Sequence, residues 1–354
     1  MNAYTYIGKE IFALSQSQEY NESTDKELIT PLQCTKYIQR RKHHGKNSHH
    51  RLGPPIGPEL LTAAGHTVVY ADRDMDVIRR EIVDADAVLV RIIELPGSLL
   101  ATAKNLKIVS KHGVGYDNID LDYCKSHGVA VTITPNANSL SVAEHAFTLM
   151  LTLAKNIIPV SNEYRTVGFA AKNHAPGIEM TGKTLGLIGM GRIGKHVLHM
   201  CKDGLAMHVI VYDPYISEVP EGVEKVDDLS ELLRRADVVT LHCLLTDETR
   251  KLIDRERLAL MKPTALLINC ARGPIVDEAA LIEALENGRL AGAGLDVTDP
   301  EPVAPDSPLF KLPNVIVTPH YAPTTVESAT RVSKIAAENI NAVLAGQEPV
   351  GRIV

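Results

Sequence analysis

"LGLIGMGRIGKHV", residues 185–197, holds three glycines in a G-x-G-x-x-G pattern: Gly189, Gly191 and Gly194. An apolar run enters the pattern and a helix-forming run leaves it. That context separates a phosphate-binding loop from an ordinary turn. Gly189 permits the tight turn, Gly191 lets backbone approach a pyrophosphate, and Gly194 lets helix pack on strand. The first helical N–H groups, around Arg192 and Ile193, are then free to face phosphates. One more requirement is an acid at the end of the next strand. Asp213, 19 residues beyond Gly194, stands there after "MHVIVY". Its carboxylate would accept hydrogen bonds from ribose hydroxyls and repel a 2′-phosphate. The stretch therefore predicts an NAD site rather than an NADP site.

Outward from this loop the pattern repeats. Strand-like runs "TLGLIG", "MHVIVYD", "DVVTLHC", "TALLINC", "AGAGLDV" and "NVIVTP" alternate with helical segments. The helices are "RIGKHVLHMCKDG", closed by Gly204, "DLSELLRRA", "DETRKLIDRERLALM" and "DEAALIEALENG", with Asp277 as N-cap and Gly288 at its end. Six strands make a complete dinucleotide-binding sheet. A second series lies upstream. It has a helix, "GPELLTAAGH", the strands "TVVYA", "AVLVR", "LKIVSKHGVG" and "VAVTIT", and a long helix, "SVAEHAFTLMLTLAKNI". Ser141 and Glu144 are spaced as a capping box for that helix. Alternating strands and helices imply parallel sheets and an α/β fold. The boundary between the two series is expected near residues 155–182.

Composition narrows the class. With 354 residues, 45% hydrophobic and 23% charged, the chain suits two soluble globular domains. A formal net charge of −6 gives no reason to expect nucleic acid or an anionic membrane as partner. No apolar run approaches the roughly 20 residues that span a bilayer. The cysteines, Cys34, Cys124, Cys201, Cys243 and Cys270, form no C-x-x-C pair. Neither a metal site nor a disulfide framework is expected, and the cytoplasm is the expected compartment. Residues 1–52 lack clear periodicity and are expected to be an atypical, flexible segment. Their run "RRKHHGKNSHHR" can be read as a nucleic-acid contact, a histidine metal site or a solvated linker, and the linker is favoured. Glu10, Glu19, Glu22, Asp25 and Glu27 argue against a mitochondrial transit peptide.

Ligands of open α/β sheets lie beyond the carboxyl ends of the strands. Three ionisable residues fall there: Arg272 after "TALLINC", Glu301 after "AGAGLDV" and His320 after "NVIVTP". Together they suit hydride transfer on a 2-keto or 2-hydroxy acid. His320, with an ordinary pKa near neutrality, can exchange a proton at the carbonyl oxygen. Glu301 can hold its other ring nitrogen. Arg272 can grip a substrate carboxylate with its planar fork. Each has a plainer alternative: a structural histidine, a turn residue between prolines, and an ion pair of Arg272 with Asp277. Cys270 lies beside these residues and is a cofactor-side candidate, although a small buried residue at a strand end explains it as well.

From about residue 58 to 346 the chain resembles the D-isomer-specific 2-hydroxyacid dehydrogenases. The matching stretches are "SKHGVGYDNID", "PNANSLSVAEHAF", "TGKTLGLIGMGRIGKHV", "NCARGPIVDEAAL", "GLDVTDPEP" and "VTPH", in the family's order. The resemblance implies a Rossmann NAD domain inserted in a flavodoxin-like substrate domain, both doubly wound on parallel sheets. The expected limits are 53–157 plus 328–354 for the substrate domain and 158–327 for the NAD domain. The family's catalytic Arg, Glu and His fall on Arg272, Glu301 and His320. Backbone N–H groups of Val114 and Gly115 are implied to hold the substrate carboxylate. Arg91 matches an arginine near the substrate phosphate in phosphoglycerate enzymes, or is a plain surface charge. Asp296 is implied to hold the nicotinamide carboxamide. A homodimer through the cofactor domains is also implied. No regulatory domain is expected after residue 354, unlike the longer phosphoglycerate enzymes.

Two departures stand out. Leu244 in "HCLLT" replaces the family's usual proline, and Pro323 in "YAPTT" follows the histidine where small residues are usual. The first strand of the substrate domain should precede "GPELLTAAGH", yet "RLGPPI" is a poor strand. Either the strand comes from further upstream, or the N-terminus is not a normal domain start. The expected activity is NAD-dependent oxidation of a 2-hydroxy acid, of the 3-phosphoglycerate or hydroxypyruvate/glyoxylate class. The alternative is an NAD(H)-sensing protein like the corepressors that resemble this family. Formate dehydrogenases carry Gln where this chain has Glu301, which ranks that branch low.

Overall fold

Short apolar runs such as "AVLV", "LLIN" and "GAGL" are buried at every position. Parallel strands covered by helices on both faces require this. The computed structural model describes residues 5–6, 10–15, 56–72, 74–173 and 176–354. The chain divides into two units, Met1–Asn138 with Thr325–Val354, and Ser139–Thr324. No helix among the described residues is long and apolar enough to cross a membrane.

The first unit has strands β1 (Thr5–Tyr6), β2 (Glu10–Ser15), β3 (Thr67–Asp72), β4 (Ala87–Val90), β5 (Ile108–Lys111) and β6 (Ala130–Thr132). The parallel order is β3-β2-β4-β5-β6, with β1 antiparallel on β2. Apart from β1 this is the flavodoxin-like order. The missing first strand is thus β2, far upstream of "RLGPPI". Residues 1–52 therefore contribute two strands to the sheet, which corrects their reading as a separate segment. The basic run at 40–51 lies outside the described residues, as does Cys34. The last helix, Val326–Leu344, returns to this unit, where Ala336, Ala337 and Ile340 join its core. It crosses the helix Ile56–Ala63 closely, since a Cβ on Gly57 would lie 3.0 Å from the Ser333 carbonyl oxygen.

The second unit has strands β7 (Thr184–Ile188), β8 (His208–Tyr212), β9 (Val223–Lys225), β10 (Val238–Leu241), β11 (Leu266–Asn269), β12 (Gly292–Leu295) and β13 (Val315–Val317). All are parallel, in the order β13-β12-β11-β10-β7-β8-β9. This is the Rossmann order, with its switch point between β7 and β10. One core lies on each face of the sheet. The sheet has seven strands where six were expected, because the edge strand β9 is short and half-exposed.

Three local readings need correction. The helix Ser139–Ala154 begins two residues before Ser141, after Asn136 turns the chain at φ 63°, so Ser141 lies inside the first turn and is not its N-cap. The same helix belongs to the second unit, although the expected boundary near 157 placed it in the first. Gly294 of β12 leaves room for it: a Cβ there would meet the Leu149 Cβ at 3.0 Å and Leu153 at 3.3 Å. Last, "DETRKLIDRERLALM" is helical only over Arg255–Leu260. Asp254 caps that helix by accepting from the Arg257 N–H at 2.9 Å, and Ile253 pairs with Val276 in a parallel bridge.

Candidate active site

The glycine loop connects β7 to the helix Arg192–His199. Its glycines carry three different constraints. Gly189 sits at φ 89°, a region that disfavours other residues, and its Cβ would lie 2.8 Å from the Cys243 nitrogen. Gly194 presses on the loop itself, since its Cβ would lie 2.3 Å from the Gly189 oxygen. Gly191 has nothing within 4 Å of a Cβ, the open approach a pyrophosphate needs. Gly191 also caps the helix without any side-chain acceptor, so the N–H groups around Arg192 and Ile193 keep their capacity for an anion.

Asp213 ends β8 beside this loop. Its Oδ2 accepts the Met190 N–H at 2.8 Å and its Oδ1 accepts the Tyr215 N–H at 3.0 Å. The carboxylate is thereby fixed in direction. Each oxygen keeps a second lone pair for a ribose hydroxyl. The loop and Asp213 therefore fit an adenine dinucleotide with an unphosphorylated ribose.

The three expected catalytic residues follow neighbouring strands β11, β12 and β13 at their carboxyl ends. His320 Nδ1 meets Glu301 Oε1 at 2.7 Å, and both side chains are partly exposed. His320 holds φ 51°, strained for a side-chain-bearing residue. Arg272 sits in a turn that Asn269 staples from both sides: Asn269 Nδ2 donates to the Arg272 carbonyl at 2.9 Å, and its Oδ1 accepts the Ala271 N–H at 3.0 Å. The alternative partner, Asp277, is engaged elsewhere, by Lys251 at 3.0 Å and as the cap of the helix Glu278–Glu286. The Arg272 and Glu301 loops touch at Gly273, whose Cβ would fall 1.9 Å from the Thr298 carbonyl oxygen. Cys270 is buried, and burial beside Asp296 pushes its thiol well above the usual range. Its thiol is thereby held in the unreactive protonated form.

Asp296 has a role that its position did not disclose. Its carboxylate accepts the N–H groups of Tyr321 at 2.7 Å and Ala322 at 2.8 Å, and the Thr318 hydroxyl at 2.5 Å. It thus fastens the turn that carries His320.

In the first unit, Arg91 follows β4, and Val114 and Gly115 follow β5. Among the described residues no protein acceptor takes the Val114 or Gly115 N–H. Gly113, at φ 143°, turns the chain there, and its carbonyl is held by the Thr134 N–H at 2.9 Å. Lys111, missed in the sequence, is buried and donates to the Arg91 carbonyl and to Asn118 Oδ1. It ties the Arg91 segment to the Val114 loop. A lysine inside a "SKHG" turn carries no sequence signal of such a clamp. His112 is half-buried, and its pKa is pushed to about 3, by desolvation first and then by Arg91 and Lys111.

A parallel sheet in Rossmann order, a glycine loop with its fixed acid, and a His–Glu pair at the strand ends define a dinucleotide-dependent dehydrogenase fold. Residues 147–322 match the family model for the D-isomer specific 2-hydroxyacid dehydrogenase NAD binding domain. The chain is 43% identical over 293 residues to a D-3-phosphoglycerate dehydrogenase of Methanocaldococcus jannaschii, covering 82% of this chain and 55% of that protein. It is 38% identical to a glyoxylate reductase of Thermofilum pendens, covering 84% of this chain and 91% of that one. A D-lactate dehydrogenase of Aquifex aeolicus, solved with NAD and lactic acid, superposes with a TM-score of 0.75 at 33% identity, covering 82% of this chain and 92% of that one. The chain belongs to the D-isomer-specific 2-hydroxyacid dehydrogenase family. It spans about half the length of the phosphoglycerate dehydrogenases it matches.

Proposed function

We propose that the protein is an NAD-dependent D-2-hydroxyacid dehydrogenase, acting on 3-phosphoglycerate or on a substrate of the hydroxypyruvate/glyoxylate class. The observation that carries this reading is the 2.7 Å contact between His320 Nδ1 and Glu301 Oε1, in the same sheet as the glycine loop. Gly189, Gly191, Gly194, the N–H groups of Arg192 and Ile193, and Asp213 would hold NAD. When bound, NAD supplies the acceptor for the hydride on C2 of the acid. Glu301 fixes the proton on His320 Nδ1 and leaves Nε2 to take the hydroxyl proton of the substrate. In the reverse direction Nε2 returns that proton to the carbonyl oxygen. Arg272 is the proposed holder of the substrate carboxylate in the second unit. In the first unit the Val114 and Gly115 amides are proposed as anion donors. Arg91 is proposed to read the distal group of the substrate, supported by the phosphoglycerate and glyoxylate enzymes among the relatives. The NAD(H)-sensing alternative has no observation of its own in its favour.

A homodimer fits the helix Ile157–Val167, which has no buried residue and exposes Ile157, Ile158, Tyr164 and Val167. An apolar face of this kind calls for a partner. Free cysteines at 124, 201, 243 and 270 fit a reducing, cytoplasmic setting. The test is a panel of 2-keto acids, including phosphohydroxypyruvate, with NADH and NADPH. Turnover with NADH, its collapse in His320→Asn, and retained NADH binding are expected. Absence of turnover on every 2-keto acid would refute the reading.

A further inference from the structure

The long helix Ser139–Ala154 brings one histidine to the back of the catalytic turn. His145 Nε2 lies 3.0 Å from Thr318 Oγ1 and 3.4 Å from Asp296 Oδ1, and its ring meets Tyr321 edge-on with centroids 6.1 Å apart. The side chain is 17% exposed, and the Asp296 carboxylate 1%. An ionised carboxylate this deeply buried must have its lone pairs filled. Thr318 and the Tyr321 and Ala322 amides supply three donors. Thr318 can give its hydroxyl proton to Asp296 only if its oxygen is turned that way. A hydroxyl rotates freely unless a donor occupies its lone pair. The Nε2–H of His145 is that donor. The chain of bonds then runs His145, Thr318, Asp296, and onward to residues 320–322, where the His320 N–H also donates to the Asp296 carbonyl at 2.8 Å.

This chain acts on the strained point of the site. His320 keeps a left-handed backbone, a strained conformation for a residue with a Cβ. Its surroundings must hold it there. Released, the turn would relax toward ordinary φ and swing the imidazole away from Glu301.

We infer that His145 is a positioning residue of the reaction, orienting Thr318 and Asp296 so that the turn presents His320 to Glu301 and to substrate. This rests on the dehydrogenase reading of the same site. The sequence alone treats His145 as one polar position on an apolar helix.

The test compares His145→Leu, which removes the donor, with His145→Gln, whose amide nitrogen reaches the place of Nε2. In the leucine variant kcat is expected to fall by up to about 100-fold, the cost of misplacing a reacting group by about 1 Å. The dissociation constant of NADH should stay within threefold, because the glycine loop lies beyond β7. Glutamine should restore most of the rate. A leucine variant with wild-type kcat, or equal losses in both variants, would overturn the inference. A crystal structure of the leucine variant is the readout that does not need activity. Loss of the left-handed φ at His320, or of its contact with Glu301, supports positioning, and an unchanged turn refutes it. If the wild-type protein reduces no 2-keto acid, the dehydrogenase reading fails while the structural comparison still decides the role of His145.

Discussion

Replacing Gly273 by alanine tests whether the Arg272 and Glu301 loops form one rigid catalytic surface. The Cβ of alanine would lie 1.9 Å from the Thr298 oxygen, 2.2 Å from the Thr298 carbon and 2.9 Å from the Asp299 nitrogen. An ordinary carbon–oxygen contact is above 3 Å, so the two backbones must separate by about 1 Å or more. Neither can move freely. Asp299 donates to Glu278 Oε2 at 3.0 Å, and Thr298 Oγ1 donates to the Pro300 carbonyl at 2.9 Å. On the other side Asn269 grips the Arg272 carbonyl. Overpacking of this kind costs about 1–3 kcal/mol. In a unit of this size that lowers Tm by roughly 3–10 °C. The larger effect falls on catalysis, because Arg272 precedes the glycine and Glu301 stands three residues beyond Thr298. A shift of about 1 Å there is worth on the order of 100-fold in kcat. The assay is kcat with a 2-keto acid and NADH, alongside NADH affinity read from the fluorescence of the nucleotide. The chain has no tryptophan to complicate that signal. Affinity should hold while kcat falls. An alanine variant with wild-type kcat and Tm would show that the loops give way independently, and the rigid-surface argument would be wrong.

Two other outcomes follow from the same contacts. Asp213→Asn removes the charge that repels a 2′-phosphate, so the preference for NADH over NADPH should narrow by about tenfold, an energy near 1.4 kcal/mol; an unchanged ratio of kcat/KM values would move the discrimination elsewhere. Acid stability is the second. His112 and His242 are held near pKa 3, chiefly by burial, against an ordinary 6.5. Below pH 6.5 the unfolded chain gains protons that the folded chain refuses, so stability present above that pH is lost as pH falls toward 3. Each histidine removes about 1.4 kcal/mol per pH unit in that window. Melting curves from pH 7 to 5 should steepen accordingly, and His242→Asn should remove about half of the histidine share. Identical pH profiles for the variant and the parent would count against a desolvated, neutral His242.

The glycine loop, Asp213, Arg272, Glu301 and His320 were legible because each is marked by its place just after a strand, a local pattern of about ten residues. What escaped is marked by partners far apart in sequence. The Asp296 carboxylate meets His145 across 151 positions, and neither residue carries a local sign of the other. The strand β9 escaped because three half-exposed residues make no apolar run. An upstream first strand is one of two alternatives in the sequence, but its place at β2 is not legible: residues 16–55 separate it from the next helix, where connections in compact domains run to about six residues. The placement of the helix Ser139–Ala154 shows the limit of periodicity itself. Its apolar face states that it is buried and leaves open against which sheet. The telling residue is Gly294, whose missing side chain admits Leu149 and Leu153. That glycine is visible in "AGAGLDV", but as part of a strand. Only the paired surface gives it meaning, and it is the same packing that delivers His145 to the back of the catalytic turn. Helix placement and catalytic geometry are therefore one problem in this unit. A substitution that fills Gly294 should disturb His320 through the helix, without touching any residue of the site.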